Sequence, residues 1–489
     1  METVTNTKLQ LNRKDFGSGK TLPIKILQFG EGNFLRAFVD YAFHQLNQKL
    51  DYNAGVAAVQ PLPGGMVEML NEQDAMYTVF LNGVKNGNKI QEIHLVDNIV
   101  KTINPYKDFQ SLLEVAKLDS LEFIISNTTE AGIEFVDTDV FSEDCPKSYP
   151  AKVAAVLYER FKHFKGDKDK GLTIIPCELI NYNADTLKEI LLKYCDLWKL
   201  EPEFATWMND ACTFHNTLVD RIVPGYPREE AESFGQRIDY HDKFMVAAEP
   251  FFLWVIEGDE KLKQKLPFDK IGLDVKIVSD MQPYRNRKVR ILNGIHTAMV
   301  PFSIMYGNET VQETVENPFT MDFVSKIAFQ EIVPALDMDK TELLNFTEEV
   351  LDRFRNPFIR HQLSDIALNS VSKFKVRVLP TILEYFEQNG KLPSHLVFGF
   401  ACLIRFYGKD WNGKKLPVKD SVDVVEAMNK AWLNADLNET VKEVLANEEF
   451  WGEDLNKVEG LQNVITVAIQ NIDELGIGKG YESYVTHFA

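Results

Sequence analysis

The 489 residues carry 72 acidic against 53 basic side chains, a formal charge of −19, with 45% hydrophobic and 26% charged residues. The balance is ordinary for a globular chain of two to four structural units. A surface this acidic repels phosphate backbones and anionic lipid, which argues against nucleic acid or a membrane as partner.

No apolar run approaches the ~20 residues that span a bilayer, and the opening METVTNTKLQLNRKDF lacks the apolar core of a secretory signal. Five cysteines, none in CxxC spacing, point to a reducing, cytoplasmic setting and away from a thiolate zinc site. With no HExxH either, the expected chemistry needs no metal and relies on side chains and an organic cofactor.

Residues 24–29 (IKILQF) form a near-continuous apolar run, the mark of a strand buried on both faces. A glycine-rich turn follows, then the helical pattern FLRAFVDYAFHQL. Residues 55–59 (GVAAV), 123–126 and 172–176 read as further buried strands, and 77–81 and 93–96 as additional ones. This alternation predicts a doubly wound, Rossmann-type α/β domain over residues 1–285. Helical periodicity then dominates, which predicts a mostly α-helical domain over 286–489, with the active site expected between the two.

The turn Gly30-Glu31-Gly32-Asn33-Phe34 stands between the first strand and its helix, right behind Phe29. The first glycine permits the tight turn and the second lets backbone approach a pyrophosphate. The helix start adds unpaired N–H groups. Leu35 takes the place of a third glycine, which predicts a helix slightly further from the strand. The alternative is a plain strand–helix turn. The second strand runs into Gln60, where NAD enzymes carry an acid for the ribose diol. Gln60 can still bond a hydroxyl, so NAD is favoured over NADP.

Two patterns carry less. Tyr158 and Lys162 match the YxxxK pair of short-chain dehydrogenases, but on an apparent surface helix. Residues 476–480 (GIGKG) read as a helix stop followed by a flexible tail.

Residues 288–296 (KVRILNGIH) carry the most suggestive constellation. At ~100° per residue, Lys288, Asn293 and His296 share one face with apolar residues, while Arg287 and Arg290 fall opposite. A desolvated lysine gives up its proton readily and can act as general base. Asn293 can donate to a developing alkoxide, and His296 can hold the same oxygen or a neighbouring hydroxyl. On spacing alone, a snorkelling lysine, a capping asparagine and a satisfied core histidine fit equally well.

That segment resembles the signature of the long-chain, zinc-independent mannitol dehydrogenase family. Residues 26–38 (ILQFGEGNFLRAF), 127–132 (NTTEAG), 218–222 (LVDRI), 249–256 (EPFFLWVI) and 353–357 (RFRNP) resemble other elements of that family, in the same order. The form QFGEGNFLRAF is nearest to the branch that interconverts D-tagaturonate and D-altronate with NAD(H) in hexuronate breakdown. The resemblance implies Lys288 as general base, Asn293 and His296 on the reacting oxygen, and Thr129 and Glu130 at the cofactor. It also implies Asn183, Asp220 and Lys373 at a small sugar-acid substrate. His361 and Asp365 stand where polyol enzymes tend to have Asp and Arg, so a carboxylate needs another cation: Arg360, Lys373 or Arg377. A sibling dehydrogenase acting on mannonate or a polyol, and a dinucleotide-binding sensor without turnover, are the competing expectations.

Overall fold

The computed structural model describes residues 8–408 and 410–488, and all their side chains except that of Glu130. The chain divides into two compact units. Unit 1 runs to Asn82 and from Lys89 to Met281, and unit 2 comprises Gly83–Asn88 and everything from Gln282 onward.

Unit 1 is built on six parallel strands: β1 (Ile24–Phe29), β2 (Gly55–Val59), β3 (Ile99–Ile103), β4 (Phe123–Ser126), β5 (Thr173–Pro176) and β6 (Thr213–Phe214). Their order is β3-β2-β1-β4-β5-β6. This is the doubly wound sheet expected from the sequence. Chain direction across the sheet reverses between β1 and β4, and the crevice at their carboxyl ends is where such sheets bind ligands.

The strands are apolar on both faces because successive side chains point to opposite sides. Ile26, Val56, Ala58, Phe123 and Ile125 pack with Ala37, Phe38 and Phe43 of α1, which runs Asn33–Leu35, Arg36–Asp40 and Tyr41–Leu50. Leu27, Phe29, Ala57, Val59 and Ile124 pack on the other side with Leu112, Val153 and Leu187.

The expected strands at 77–81 and 93–96 extend to Tyr77–Lys85 and Asn88–Val96 and leave the main sheet. They form a separate three-stranded sheet with Val246–Ala248. Asn86 (φ 52) and Gly87 (φ 72) both turn left-handed between them, the conformation a two-residue Asn-Gly hairpin requires. A third small sheet joins Thr217–Asp220, Leu253–Glu257 and Val275–Val278.

Unit 2 is mostly helical and includes the Gly83–Asn88 hairpin tip. The elements that matter here are α2 (Gln282–Lys288, Val289–Asn293, Gly294–Tyr306), α3 (Lys340–Phe354), α4 (Ser370–Arg377), α5 (Ser394–Phe406) and α6 (Leu461–Phe488). In the core, Phe302 stacks on Phe323 at 4.0 Å between ring centres. Gly399 of α5 lets the backbone of Ala298 come within 3.2 Å of where a β-carbon would stand.

One expectation fails in part. Gly476 does break the helix (φ 76, ψ 172), but no flexible tail follows. The helix resumes to Phe488 and buries Ile477, Tyr481 and Tyr484, because residues beyond the kink present an apolar face to the core.

Candidate functional site

In unit 1 the turn after β1 is fixed by glycine geometry. Gly30 has φ 121, and a β-carbon there would stand 2.8 Å from Leu35 Cδ1 and 3.1 Å from the Asn127 carbonyl oxygen. Leu35 therefore packs directly over Gly30 and is buried. Gly32 caps α1 without a side-chain hydrogen bond, and a β-carbon on it would meet nothing within 4 Å. A helix start capped in this way keeps its first N–H groups unpaired by any side chain of Gly32. Buried Arg36 reaches back to hold the turn, donating to the Glu31 carbonyl (3.2 Å), Asn33 Oδ1 (2.7 Å) and the Phe244 carbonyl (2.7 Å). Phe34 is half-buried and stacks on Phe38 at 4.9 Å.

Glu31 is turned inward. Its carboxylate accepts the Met66 N–H at 2.9 Å, and burial pushes its pKa up. Gln60 is also buried, and its amide nitrogen donates to the carbonyls of Leu62 (2.7 Å) and Pro63 (2.9 Å). Both amide protons are spent, so the group left for a ligand is the acceptor oxygen. Beneath the turn, Gln28 donates to the Gly30 carbonyl (3.0 Å) and to Asp40 (3.2 Å), and Tyr77 donates to Asp40 (3.3 Å). Complete burial raises the Asp40 pKa to about 7.

At the end of β4 the NTTEAG loop is held by Glu178, a residue the sequence reading did not single out. Glu178 accepts from the Thr128 N–H (2.9 Å), the Thr128 hydroxyl (3.0 Å) and the Ser126 hydroxyl (3.1 Å). Burial pushes its pKa up. An acid two residues past a buried strand was the available signal. Thr129 is exposed at the loop tip with φ 75, a left-handed conformation that strains a β-branched residue. Glu130 opens a short 3-10 turn; its side chain lies outside the described atoms.

Asn183 does not stand open to a substrate. It is fully buried, donates to the carbonyls of Pro176 (3.0 Å) and Glu178 (3.1 Å), and accepts the Thr217 N–H (3.0 Å). Its hydrogen-bonding capacity goes into tying β5 to Thr217–Asp220. Asp220 is buried at the end of that strand. The neighbouring Arg221 donates to the carbonyls of Ala37 (2.7 Å) and Glu249 (2.9 Å), which ties the LVDRI and EPFFLWVI segments to α1. Tyr158 and Lys162 form a surface pair: Tyr158 donates to Glu201 (2.7 Å) and Lys162 pairs with Glu159 (2.9 Å).

In unit 2 the KVRILNGIH segment departs from an ideal helix. Val289–Asn293 is a π turn, which carries an extra residue per turn and is frequent at functional sites. Widening the turn lowers the advance to roughly 85° per residue, so Asn293 falls about 65° from Lys288 instead of about 140°. His296 then comes within about 10° of Lys288 on the same estimate. The three side chains therefore share a tighter face than a regular helix gives.

Arg287 and Arg290, expected opposite that face, are buried. Arg287 pairs with Glu342 at 2.7 Å and lies over the Phe346 ring. Arg290 grips Glu384 with two bonds (3.0 and 2.7 Å) and Thr381 at 2.6 Å. They clamp α2 to its neighbours, as a bidentate guanidinium does well.

His296 is buried and stacks on Phe354 at 4.2 Å. Its Nε2 has no hydrogen-bond partner among the described residues. Burial lowers its pKa well below the ordinary imidazole value, and His361, Arg353, Arg377 and Lys373 push the same way. The imidazole is therefore neutral and stands among cations. Asn293 and Lys288 are half-buried. Lys373 donates to the Ile366 carbonyl at 2.9 Å. Arg377 reaches Thr297 Oγ1 at 3.5 Å. Arg360 and Asp365 are exposed. Among the described residues no group of three or more His, Cys, Asp and Glu is arranged to hold a metal, and no helix is long and apolar enough to cross a membrane.

Known proteins match this chain over nearly its whole length. The mannitol dehydrogenase Rossmann domain matches residues 24–270, and the mannitol dehydrogenase C-terminal domain matches residues 280–473. The chain belongs to the mannitol dehydrogenase family. Altronate oxidoreductase of Yersinia enterocolitica is 43% identical over 480 residues, covering 97% of this chain and 99% of the relative. That of Bacillus subtilis is 43% identical over 477 residues, covering 97% and 98%. Among solved structures, substrate-free D-sorbitol dehydrogenase superposes with a TM-score of 0.78 at 21% identity, over 94% of this chain and 95% of that one. Pseudomonas fluorescens mannitol 2-dehydrogenase, solved with NAD and D-mannitol, gives 0.68 at 20% identity over 98% and 100%. As a member of this family the chain is an oxidoreductase acting on a CH–OH group, and its Rossmann-type unit is the family's nucleotide-binding fold.

Proposed function

We propose that the chain is an NAD-dependent altronate oxidoreductase, interconverting D-tagaturonate and D-altronate in hexuronate breakdown without a metal. The observation that carries the reading is the π turn Val289–Asn293, which on the angular estimate above brings Lys288, Asn293 and His296 toward one face of α2, in a chain similar over 97% of its length to altronate oxidoreductases.

The residues of unit 1 fit a dinucleotide. Gly30 and Gly32 leave backbone open to a pyrophosphate, and the uncapped N–H groups from Gly32 to Phe34 complement its charge. The Gln60 oxygen accepts from a ribose hydroxyl and has no proton to offer a 2′-phosphate, which supports NAD over NADP. Phe29, Glu31 and Asn33 shape the turn, and Thr129 and Glu130 belong to the loop after β4. Bound NAD supplies hydride acceptance in oxidation, and NADH supplies the hydride in reduction.

The residues of unit 2 handle the oxygen. In oxidation Lys288 takes the hydroxyl proton as the C–H bond breaks; in reduction it returns that proton to the alkoxide. Asn293 donates an amide proton to the charge that builds on the oxygen. Neutral His296 fixes the same oxygen or its neighbour, with its ring held by Phe354. Asp220 and Lys373 bind other parts of the sugar acid. Asn183 acts beneath the site, as a strap on β5. All five thiols are free, which supports a reducing, cytoplasmic setting.

The test is a panel of D-tagaturonate, D-fructuronate and D-fructose with NADH and with NADPH, with and without EDTA. The reading expects the highest kcat/KM for D-tagaturonate with NADH, unaffected by EDTA. Preference for D-fructuronate or D-fructose, or activity that EDTA removes and zinc restores, contradicts it.

A further inference from the structure

A sugar acid differs from a polyol by one carboxylate, and a net-acidic protein must meet it with a local cation. The position where polyol enzymes tend to have Arg is Asp365 here, an exposed acid. The cation has to come from elsewhere in unit 2.

Lys373 and Arg377 lie one helical turn apart on α4, so their side chains share a face. Both are half-buried. Like charges at this spacing cost a few tenths of a kcal/mol without an anion between them. Arg377 makes a single long bond, to Thr297 Oγ1 at 3.5 Å, and no ion pair among the described residues. Three buried arginines of this unit, Arg287, Arg290 and Arg405, each hold a carboxylate at 2.6–2.7 Å. A half-buried guanidinium without an anion stands apart from these three. Part of the reason is structural, since a cation suits the last turn of a helix.

The other part is its address. Thr297 follows His296 directly, and Gly294, one residue before Ile295, abuts the Arg377 backbone: a β-carbon on Gly294 would stand 3.0 Å from the Arg377 carbonyl oxygen. The catalytic segment thus carries its own contact to α4. Arg377 and Lys373 are also two of the four cationic or titratable groups whose charge reaches His296.

We propose that Arg377, with Lys373 beside it, binds the carboxylate of the substrate and is the residue that sets sugar acids apart from neutral polyols. The proposal rests on the sugar-acid reading above. A planar guanidinium offers two parallel N–H bonds to a carboxylate and nothing comparable to a CH2OH group.

The test uses the full chain with Arg377→Gln, Arg377→Lys and, as a control, Arg360→Gln at an exposed cation. KM and kcat are measured for D-altronate, together with inhibition by D-altritol, its analogue with CH2OH in place of the carboxylate, NADH affinity and Tm. Arg377→Gln should raise the altronate KM on the order of 10- to 100-fold, leave the altritol Ki and NADH affinity within about twofold, and lower kcat far less than KM. Arg377→Lys, which keeps the charge, should recover part of the loss, and Arg360→Gln should change nothing. An unchanged altronate KM in Arg377→Gln, or equal weakening of altronate and altritol in both Arg377 variants, overturns the proposal. If the wild type turns over no sugar acid at all, the functional reading falls instead, and the substrate panel reports that separately.

Discussion

Gly294 lies against the carbonyl of Arg377, close enough that a β-carbon would sit 3.0 Å from that oxygen and 3.6 Å from the Val289 carbonyl. The glycine of the KVRILNGIH segment is therefore a packing residue that sets how closely α4 approaches His296. Gly294→Ala gains up to ~1 kcal/mol of helix propensity, but it forces α4 to give by a few tenths of an ångström. The expected result is an altronate KM raised several-fold with little change in Tm. Kinetics and a melting curve check it; wild-type KM with a lowered Tm would show that the contact is only structural.

Gln60 gives a prediction that differs from simple charge logic. Putting an acid at this position would be expected to strengthen preference for NAD, but here both amide protons hold the Leu62 and Pro63 carbonyls. Gln60→Glu removes two donors and sets a carboxylate against two carbonyl oxygens. At ~0.5–1.5 kcal/mol per bond, NADH affinity should fall on the order of 10-fold. NADH fluorescence titration measures it, and tighter NADH binding by the variant would contradict the geometry.

His296 is held neutral by burial and by the surrounding cations. Because its pKa is lowered, the neutral form persists to more acidic pH than for a free imidazole. The kcat/KM profile should therefore show no ionisation attributable to His296 near the ordinary histidine value of ~6.5. A limb at that pH that disappears in His296→Asn would refute this.

Asp40, below the Gly30 turn, has its pKa raised by burial to about 7. The folded state then keeps a proton that the unfolded chain loses above ~3.9. Stability from this group is fully present below that value and falls as pH rises to about 7, by on the order of 4 kcal/mol. Asp40→Asn keeps the acceptor for Gln28 and Tyr77 and should flatten that slope. Urea unfolding of both proteins from pH 4 to 8 gives the difference; parallel slopes would show that Asp40 does not titrate in this range.

The doubly wound sheet was legible because β1, β2, β4 and β5 are short runs apolar on both faces, bounded by turns and helices. β3 (IVKTI) escaped notice because an edge strand is half-polar. The proposed catalytic face was legible in composition but not in angle: a wheel at 100° per residue cannot show the π turn Val289–Asn293. The same wheel set Arg287 and Arg290 opposite that face but could not show what they pair with, since Glu342 and Glu384 lie 55 and 94 residues away. Arg377 was one of three possible cations on sequence. What sets it apart is long-range: the packing of Gly294 on its carbonyl and the missing carboxylate partner. Asn183 shows the converse, a motif residue whose polar atoms are consumed inside unit 1.

The most direct test is to compare wild type with Lys288→Ala, following NADH consumption with D-tagaturonate and, separately, NADH affinity. A general base contributes ~10²–10⁴-fold, so kcat should fall by that factor while NADH affinity stays within about twofold. A variant that reduces D-tagaturonate at near wild-type kcat would make Lys288 a structural residue and contradict the account.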